Sequence, residues 1–287
     1  MKRLIINADD LGADEARNAG IFEAIQAGTV TSVSIFPNGP ALRDALNRIH
    51  SGSFRNVSWG VHLNLSEGKS VSTGNSLLLG PNGIFLGKAS SQRLLMRKGD
   101  RNLENEIAHE IDAQISLLKA SGIFLRHLDG HQHVHVFPAV LKAMLKAALN
   151  HHIPWIRVPY EPETTSSDFT LTSSLCEECR LFSGLGWAAR PIILESGLHA
   201  TDHFRGLYLK GRLTLQGLES VLQCLPDGLT ELMVHPGRFV ENSPKTPFSS
   251  FSTGERRKEL ETLLNGKLHL IFNEMDIFLT PFPENPS

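Results

Sequence analysis

Cysteine is scarce. Three thiols in 287 residues cannot make a disulfide framework, which excludes a stapled secreted scaffold and points to a reduced, cytoplasmic protein. Cys176 and Cys179 form a C-x-x-C, but only the distant Cys224 remains beside them, too few for a closed structural zinc site. Neither sign of charge is in excess. With 28 basic and 30 acidic residues the net charge is −2, which leaves no electrostatic footprint for nucleic acid or anionic lipid. No run approaches the roughly 18–20 apolar residues of a membrane span. Asp9 and Asp10 follow Met1-Lys2-Arg3 too closely for a signal peptide. No G-x-G-x-x-G follows a strand and no P-loop occurs, which excludes the usual nucleotide cradles.

Histidine, by contrast, is concentrated. Four histidines and an aspartate lie within nine residues, His127-Leu-Asp129-Gly-His131-Gln-His133-Val-His135. All five polar members have odd numbers, so on an extended backbone they would share one face. Imidazoles at i and i+2 on a strand reach one divalent ion, and no more than two of this set are expected as direct ligands. Ile123, Phe124 and Leu125 precede the cluster like a buried strand, and Pro138 opens an apolar helical pattern through Val140, Leu141, Met144, Leu145 and Ala148. The histidines therefore occupy the end of a strand and the turn into a helix, where α/β folds build their sites.

The remaining chain alternates strand and helix. Residues 3–9, 30–36, 57–65, 153–158, 204–209 and 229–235 read as strands, and 13–28, 41–49, 103–120, 213–225 and 254–264 as helices. Residues 192–194 and 277–280 are further strand-like segments, whereas 66–98 and 161–190 are expected as long loops, the first a lid or binding loop. Seven or eight β/α units in a single domain over residues 1–287 predict an α/β barrel rather than an open sheet.

A barrel gathers the carboxyl ends of its strands at one mouth. Those ends carry Asn7, Asp9 and Asp10; His62 and Asn64; Asp129, His131 and His133; Arg157; and His235. Adjacent carboxylates disfavour joint ionisation unless a cation lies between them, so one aspartate is expected to bind an ion and the other to act as a base. Two histidines and a carboxylate with an open position is the composition of a catalytic zinc site, and magnesium is compatible with fewer protein donors.

Asn7-Ala-Asp9-Asp10-Leu-Gly12, Gly60-Val-His62-Leu-Asn64-Leu and the segment from His127 to Pro138 together resemble the YdjC-like carbohydrate deacetylases, which include chitooligosaccharide deacetylases. Thr201-Asp202-His203-Phe204 and His235-Pro236-Gly237 extend the resemblance over nearly the whole chain. Leu11 stands where the family commonly has Phe, and Gly130-His131-Gln132 where it has Ser-His-His, a change that keeps His131. The resemblance implies a distorted TIM-like barrel with one divalent ion, zinc or magnesium, on Asp10, His62 and His131. It also implies hydrolysis of an N-acetyl group from an amino sugar or chitooligosaccharide, releasing acetate. By analogy with other metal-dependent polysaccharide deacetylases Asp9 is the base, with exchange of the two aspartates left open. His235, protonated, is expected to donate to the leaving amine, with Arg157 or Asp129 holding a catalytic partner in place. Asn64, Asp129, His133 and Asp202 are expected to contact substrate, with Trp59 or Trp155 available to stack on a sugar ring. A homodimer is the family-level expectation. Two rival readings are a metal-dependent hydrolase of another amide or ester and a non-catalytic metal- or sugar-binding barrel. Sparse Lys and Arg near the motifs count against a phosphoester, and simple binding needs neither Asp9 nor His235.

Overall fold

The computed structural model describes residues 1–74, 76–162, 172–239, 248 and 253–284. Its central strand is β1 (Lys2–Leu11), buried from Leu4 onward. A parallel strand covered on both faces can be continuously apolar rather than alternating, which is why Leu4-Ile5-Ile6 precedes the polar end of the strand. On one side lie β2 (Ser32–Ile35), β3 (Ser58–Leu63), β4 (Leu125–Gly130) and β5 (Trp155–Ile156). On the other lie β7 (Gly228–Val234) and β6 (His203–Arg205). The order is β5-β4-β3-β2-β1-β7-β6, with every pair parallel. The short β8 (Ile277–Leu279) pairs with Lys2–Leu4 of β1, below the point where β2 takes over that edge at Asn7. The sheet curls, and the Ile156 N–H donates to the His199 carbonyl at 2.8 Å across a Trp155–His199 bridge. No β5–β6 ladder forms among the described residues, so the closure stays partial and the architecture is a distorted α/β TIM-like barrel.

Helices α1 (Glu15–Gln26), α2 (Leu42–Ser51), α3 (Lys88–Leu95), α4 (Arg101–Ala120), α5 (Pro138–His151), α6 (Ser173–Glu195), α7 (Leu215–Gln223), α8 (Thr253–Leu263) and α9 (Leu268–Glu274) complete the described fold. Their starts follow local chemistry. Asp14 accepts the Arg17 N–H, Asp100 accepts the Asn102 and Leu103 N–H groups, and Pro138 occupies the first turn of α5. Leu103, Ile107, Ile111, Ile115 and Leu118 form the buried stripe of α4, the spacing that marks a helix packed on a core. Among the described residues no helix is long and apolar enough to cross a membrane.

The structure corrects four expectations. Residues 66–98 are not all loop, since α3 (Lys88–Leu95) lies within them, with Ser91 and Leu95 buried. Residues 173–190 are not a loop, and 192–194 is not a strand: both belong to α6, while 163–171 lie outside the described residues. Gly184, Gly186 and Pro191 read as breakers, yet burial of Phe182, Ala189 and Ile193 outweighs their weak helix propensity. Gly186 is itself a packing residue, since a Cβ there would lie 2.9 Å from the Pro159 carbonyl carbon. Cys176 and Cys179 are free thiols on this helix. The histidine segment is also not one extended face. Only His127 and Asp129 lie on β4; His131–Val136 is a 3-10 turn in which Gln132 and His133 take left-handed φ values of 53° and 55°.

Candidate active site and metal centre

Adjacent residues on a strand face opposite ways, yet Asp9 and Asp10 both line one cavity. The cause is local. The pairing of β1 with β2 shifts register between Ala8 and Leu11, and Asp10 adopts a φ of 73°, a conformation that Asp tolerates better than most residues. Such bulges re-aim side chains at active sites. The cavity is lined also by His62, His131, His133, His235, Lys88, Lys210 and Arg256.

Asp10 Oδ1 is the centre of the cluster. His62 Nε2 lies 3.3 Å from it and His131 Nδ1 3.4 Å, and all three residues are buried. Donors held about 2.0–2.1 Å from one ion at tetrahedral angles stand about 3.3 Å apart, so this spacing fits a shared cation. Among the described residues the nearest polar neighbours of Asp10 Oδ1 are these two imidazole nitrogens, both beyond ordinary hydrogen-bond geometry. Each histidine is backed by a carboxylate on its other nitrogen. His62 Nδ1 lies 2.6 Å from Asp129 Oδ1, and His131 Nε2 3.0 Å from Glu67 Oε2. That outer carboxylate is the usual device for fixing the tautomer and aim of a metal-binding imidazole. Burial alone would lower the pKa of His62, but the charges of Asp129 and Asp9 carry it up to about 10. The carboxylates that flank His62 thus favour a positive charge at that position. Burial works against the Asp10 carboxylate, yet Arg256, His131 and His62 keep it well below the usual range.

Asp9, His62 and Asp129 also converge, but their oxygens are already engaged. Arg157, fully buried, grips both oxygens of Asp9 at 2.7 Å, reaches Asp129 at 2.8 Å and donates to Glu231 at 2.7 Å. Asn7 adds a bond to Asp9 at 2.8 Å, and Ser34 one to Asp129 at 2.6 Å. Asp9 is therefore held rigidly beside the candidate metal ligands. His235 Nε2 approaches Asp9 Oδ2 to 3.9 Å. Burial holds His235 well below its ordinary pKa, and Arg256 and Lys210 reinforce this against the pull of Asp10, so His235 is neutral at rest.

Of the residues expected at the substrate mouth, His133 lines the cavity, with burial and Arg157 keeping it neutral. The other three do not face it. Asn64 is buried in hydrogen bonds to Ser66, Glu67 and Asn38. Asp129 is buried behind His62. Asp202 accepts the Leu229 N–H beside Gly228, at the opposite end of the barrel, where β7 begins. The tryptophans are also elsewhere: Trp59 packs against Phe22 and Phe54, and Trp155 against Phe282 and His199. Sequence reasoning does not reach Glu67 or Arg256. The only signals for them are an Asn three residues before a Glu, and one charge among many on α8.

The family model described as YdjC-like protein matches residues 3–274. A carbohydrate deacetylase from Mus musculus is 37% identical over 249 residues, spanning 82% of this chain and 78% of its own length. One from Brevibacillus brevis is 29% identical over 287 residues, spanning 98% and 99%. A crystal structure from Enterococcus faecalis V583, provisionally named a cellobiose-phosphate cleavage protein, shares the fold with a TM-score of 0.71 at 23% identity, covering 98% of this chain and 97% of that one.

Proposed function

The chain belongs to the YdjC-like protein family, and from that premise we propose that it is a metal-dependent hydrolase removing the N-acetyl group of an acetylated amino sugar. The observation that carries the reading is the convergence of Asp10 Oδ1 with two imidazole nitrogens, each imidazole aimed by its own carboxylate, with Asp9 clamped alongside. The names of the curated relatives support the substrate class.

Asp10, His62 and His131 would hold the ion, which when bound supplies Lewis acidity and a water acidic enough to react near neutral pH. Asp9 accepts a proton as water attacks the acetamide carbonyl, and Arg157 fixes the orientation in which it does so. His235, neutral at rest and 3.9 Å from Asp9, relays that proton to the departing nitrogen. A new C–O bond replaces the C–N bond, the amine leaves with the relayed proton, and water's second proton passes to the amine or to solvent as acetate is released. His133 lines the same cavity, and among the described residues its buried Nδ1 has no partner.

Acetate release from diacetylchitobiose, with and without chelator, tests the reading. Release that chelation abolishes and added zinc or magnesium restores is the expected result. Metal-replete protein that frees no acetate from any N-acetylated amino sugar tested would overturn it.

A further inference from the structure

Asn64 and Glu67 stand outside the constellation that holds the ion, yet the hydrogen bonds connect them to it in one chain. Asn64 follows His62 by two residues and is fully buried. Its Oδ1 accepts the Ser66 N–H at 3.0 Å and the Glu67 N–H at 3.1 Å, while its Nδ2 donates to the Glu67 carbonyl at 2.6 Å. Its own backbone is gripped by Gln114, which accepts the Asn64 N–H at 3.0 Å and donates to the Asn64 carbonyl at 2.7 Å. Asn38 Nδ2 adds a second donor to the Glu67 carbonyl at 3.2 Å. The turn that carries Glu67 is thereby pinned at both its N–H and its C=O. The pinned carboxylate reaches His131 Nε2 at 3.0 Å and leaves Nδ1 toward Asp10 Oδ1.

Resting on the metal reading above, we infer that Glu67 is a positioning residue for His131, and that Asn64 serves this function by holding Glu67 rather than by touching substrate. The physical reason is the imidazole's two nitrogens. With no acceptor on Nε2, the proton and the ring orientation are free to exchange, and the lone pair facing Asp10 is no longer assured. Only an amide side chain suits position 64. An aspartate would set an acceptor against the Glu67 carbonyl where a donor is needed.

The test uses metal-stripped full-length protein titrated with zinc in a calorimeter, melting curves, and the ring nitrogen NMR signals of His131. Wild type is expected to bind zinc with Nε2 protonated and Nδ1 bare. Glu67→Gln keeps an acceptor oxygen but loses the charge, and should bind zinc about 10-fold more weakly. Glu67→Ala should lose about 100-fold, and Asn64→Asp should move in the same direction. The His131 nitrogen pattern should change in Glu67→Ala while the metal-free melting temperature of Glu67→Gln stays near wild type. Zinc affinity and ring signals unchanged in Glu67→Gln and Glu67→Ala would overturn the inference while leaving the metal site standing. Zinc binding that is absent in wild type, or untouched by His62→Ala, would overturn the metal reading and this inference together. Should Glu67→Ala fail to fold, Glu67→Gln decides the matter alone.

Discussion

Asp9 and Asp10 are neighbours of like charge, both buried, and each has its own guanidinium: Arg157 clamps Asp9, and Arg256 donates to Asp10 Oδ2 at 2.5 Å. The arrangement leaves one oxygen, Asp10 Oδ1, directed at the two imidazoles. It divides the roles of the pair by partner rather than by type. Asp9→Asn keeps the shape but removes the proposed base, so kcat should fall about 10²–10⁴-fold while zinc still binds. Loss of zinc in Asp9→Asn, with zinc retained in Asp10→Asn, would reverse the two roles. His62 gives a second prediction. Its folded pKa of about 10 lies above the ordinary 6.5, so its protonated form stabilises the metal-free protein fully below pH 6.5, and that contribution disappears as pH rises toward 10. An incoming ion must displace the same proton. Metal affinity should therefore rise with pH across the neutral range, about tenfold per unit, with one proton released on binding. Calorimetry in buffers of different ionisation heat reads that proton directly.

At the scale of elements, α8 contributes more to the site than its exposed, charged composition suggests. Arg256 and Glu259 share one face of it and are 2% and 1% exposed. Arg256 holds Asp10, while Glu259 accepts the His235 N–H at 2.5 Å and the Gly211 N–H at 2.9 Å. One helix thus braces a candidate metal ligand and the backbone of the candidate proton relay. α1 supports the same segment by close approach, because a Cβ on Gly20 would lie 2.7 Å from Gly237 Cα. Backbone cannot yield as a flexible side chain does. Gly20→Ala should cost about 1–3 kcal/mol in chemical denaturation and lower kcat by displacing the loop that follows His235. Gly184→Ala on α6 meets nothing within 4 Å and is the contrasting case, expected to stabilise by about 0.5–1 kcal/mol. A Gly20→Ala protein with wild-type stability and turnover would overturn the role given to this contact.

At the scale of the whole molecule, the barrel interior is polar as well as apolar, and its buried groups titrate in opposite senses. Burial lowers His127 to about 3 and His135 to about 4, and holds His133 and His235 well below 6.5; the stability they contribute is present above pH 6.5 and lost as pH falls. Burial raises Glu161, Glu231 and Glu259 from 4.5 to about 7, so their contribution grows as pH falls from 7 to 4.5 and then stops. Between pH 6.5 and 4.5 the two sets oppose each other. Below 4.5 the histidines continue unopposed, joined by carboxylates of lowered pKa such as Asp10 and Asp129, which cost stability once they must protonate. The urea midpoint should change little from pH 6.5 to 4.5 and fall steeply beneath; a steady decline through the whole range would count against this balance. How much of this was legible in the chain varies with distance along it. Local order determined the alternating strands and helices, the helix opened by Pro138, and the residue types at the strand ends, because each depends on neighbours a few positions away. Tertiary structure alone decided that α6 absorbs Gly184, Gly186 and Pro191, that the bulge in β1 turns both aspartates to one mouth, and that Asp202 lies at the far end. It also decided that Glu67 and Arg256, 64 and 246 residues from the groups they hold, complete the site. The reason is physical: a side chain's partner is set by packing between distant segments, and no periodicity along the chain records it.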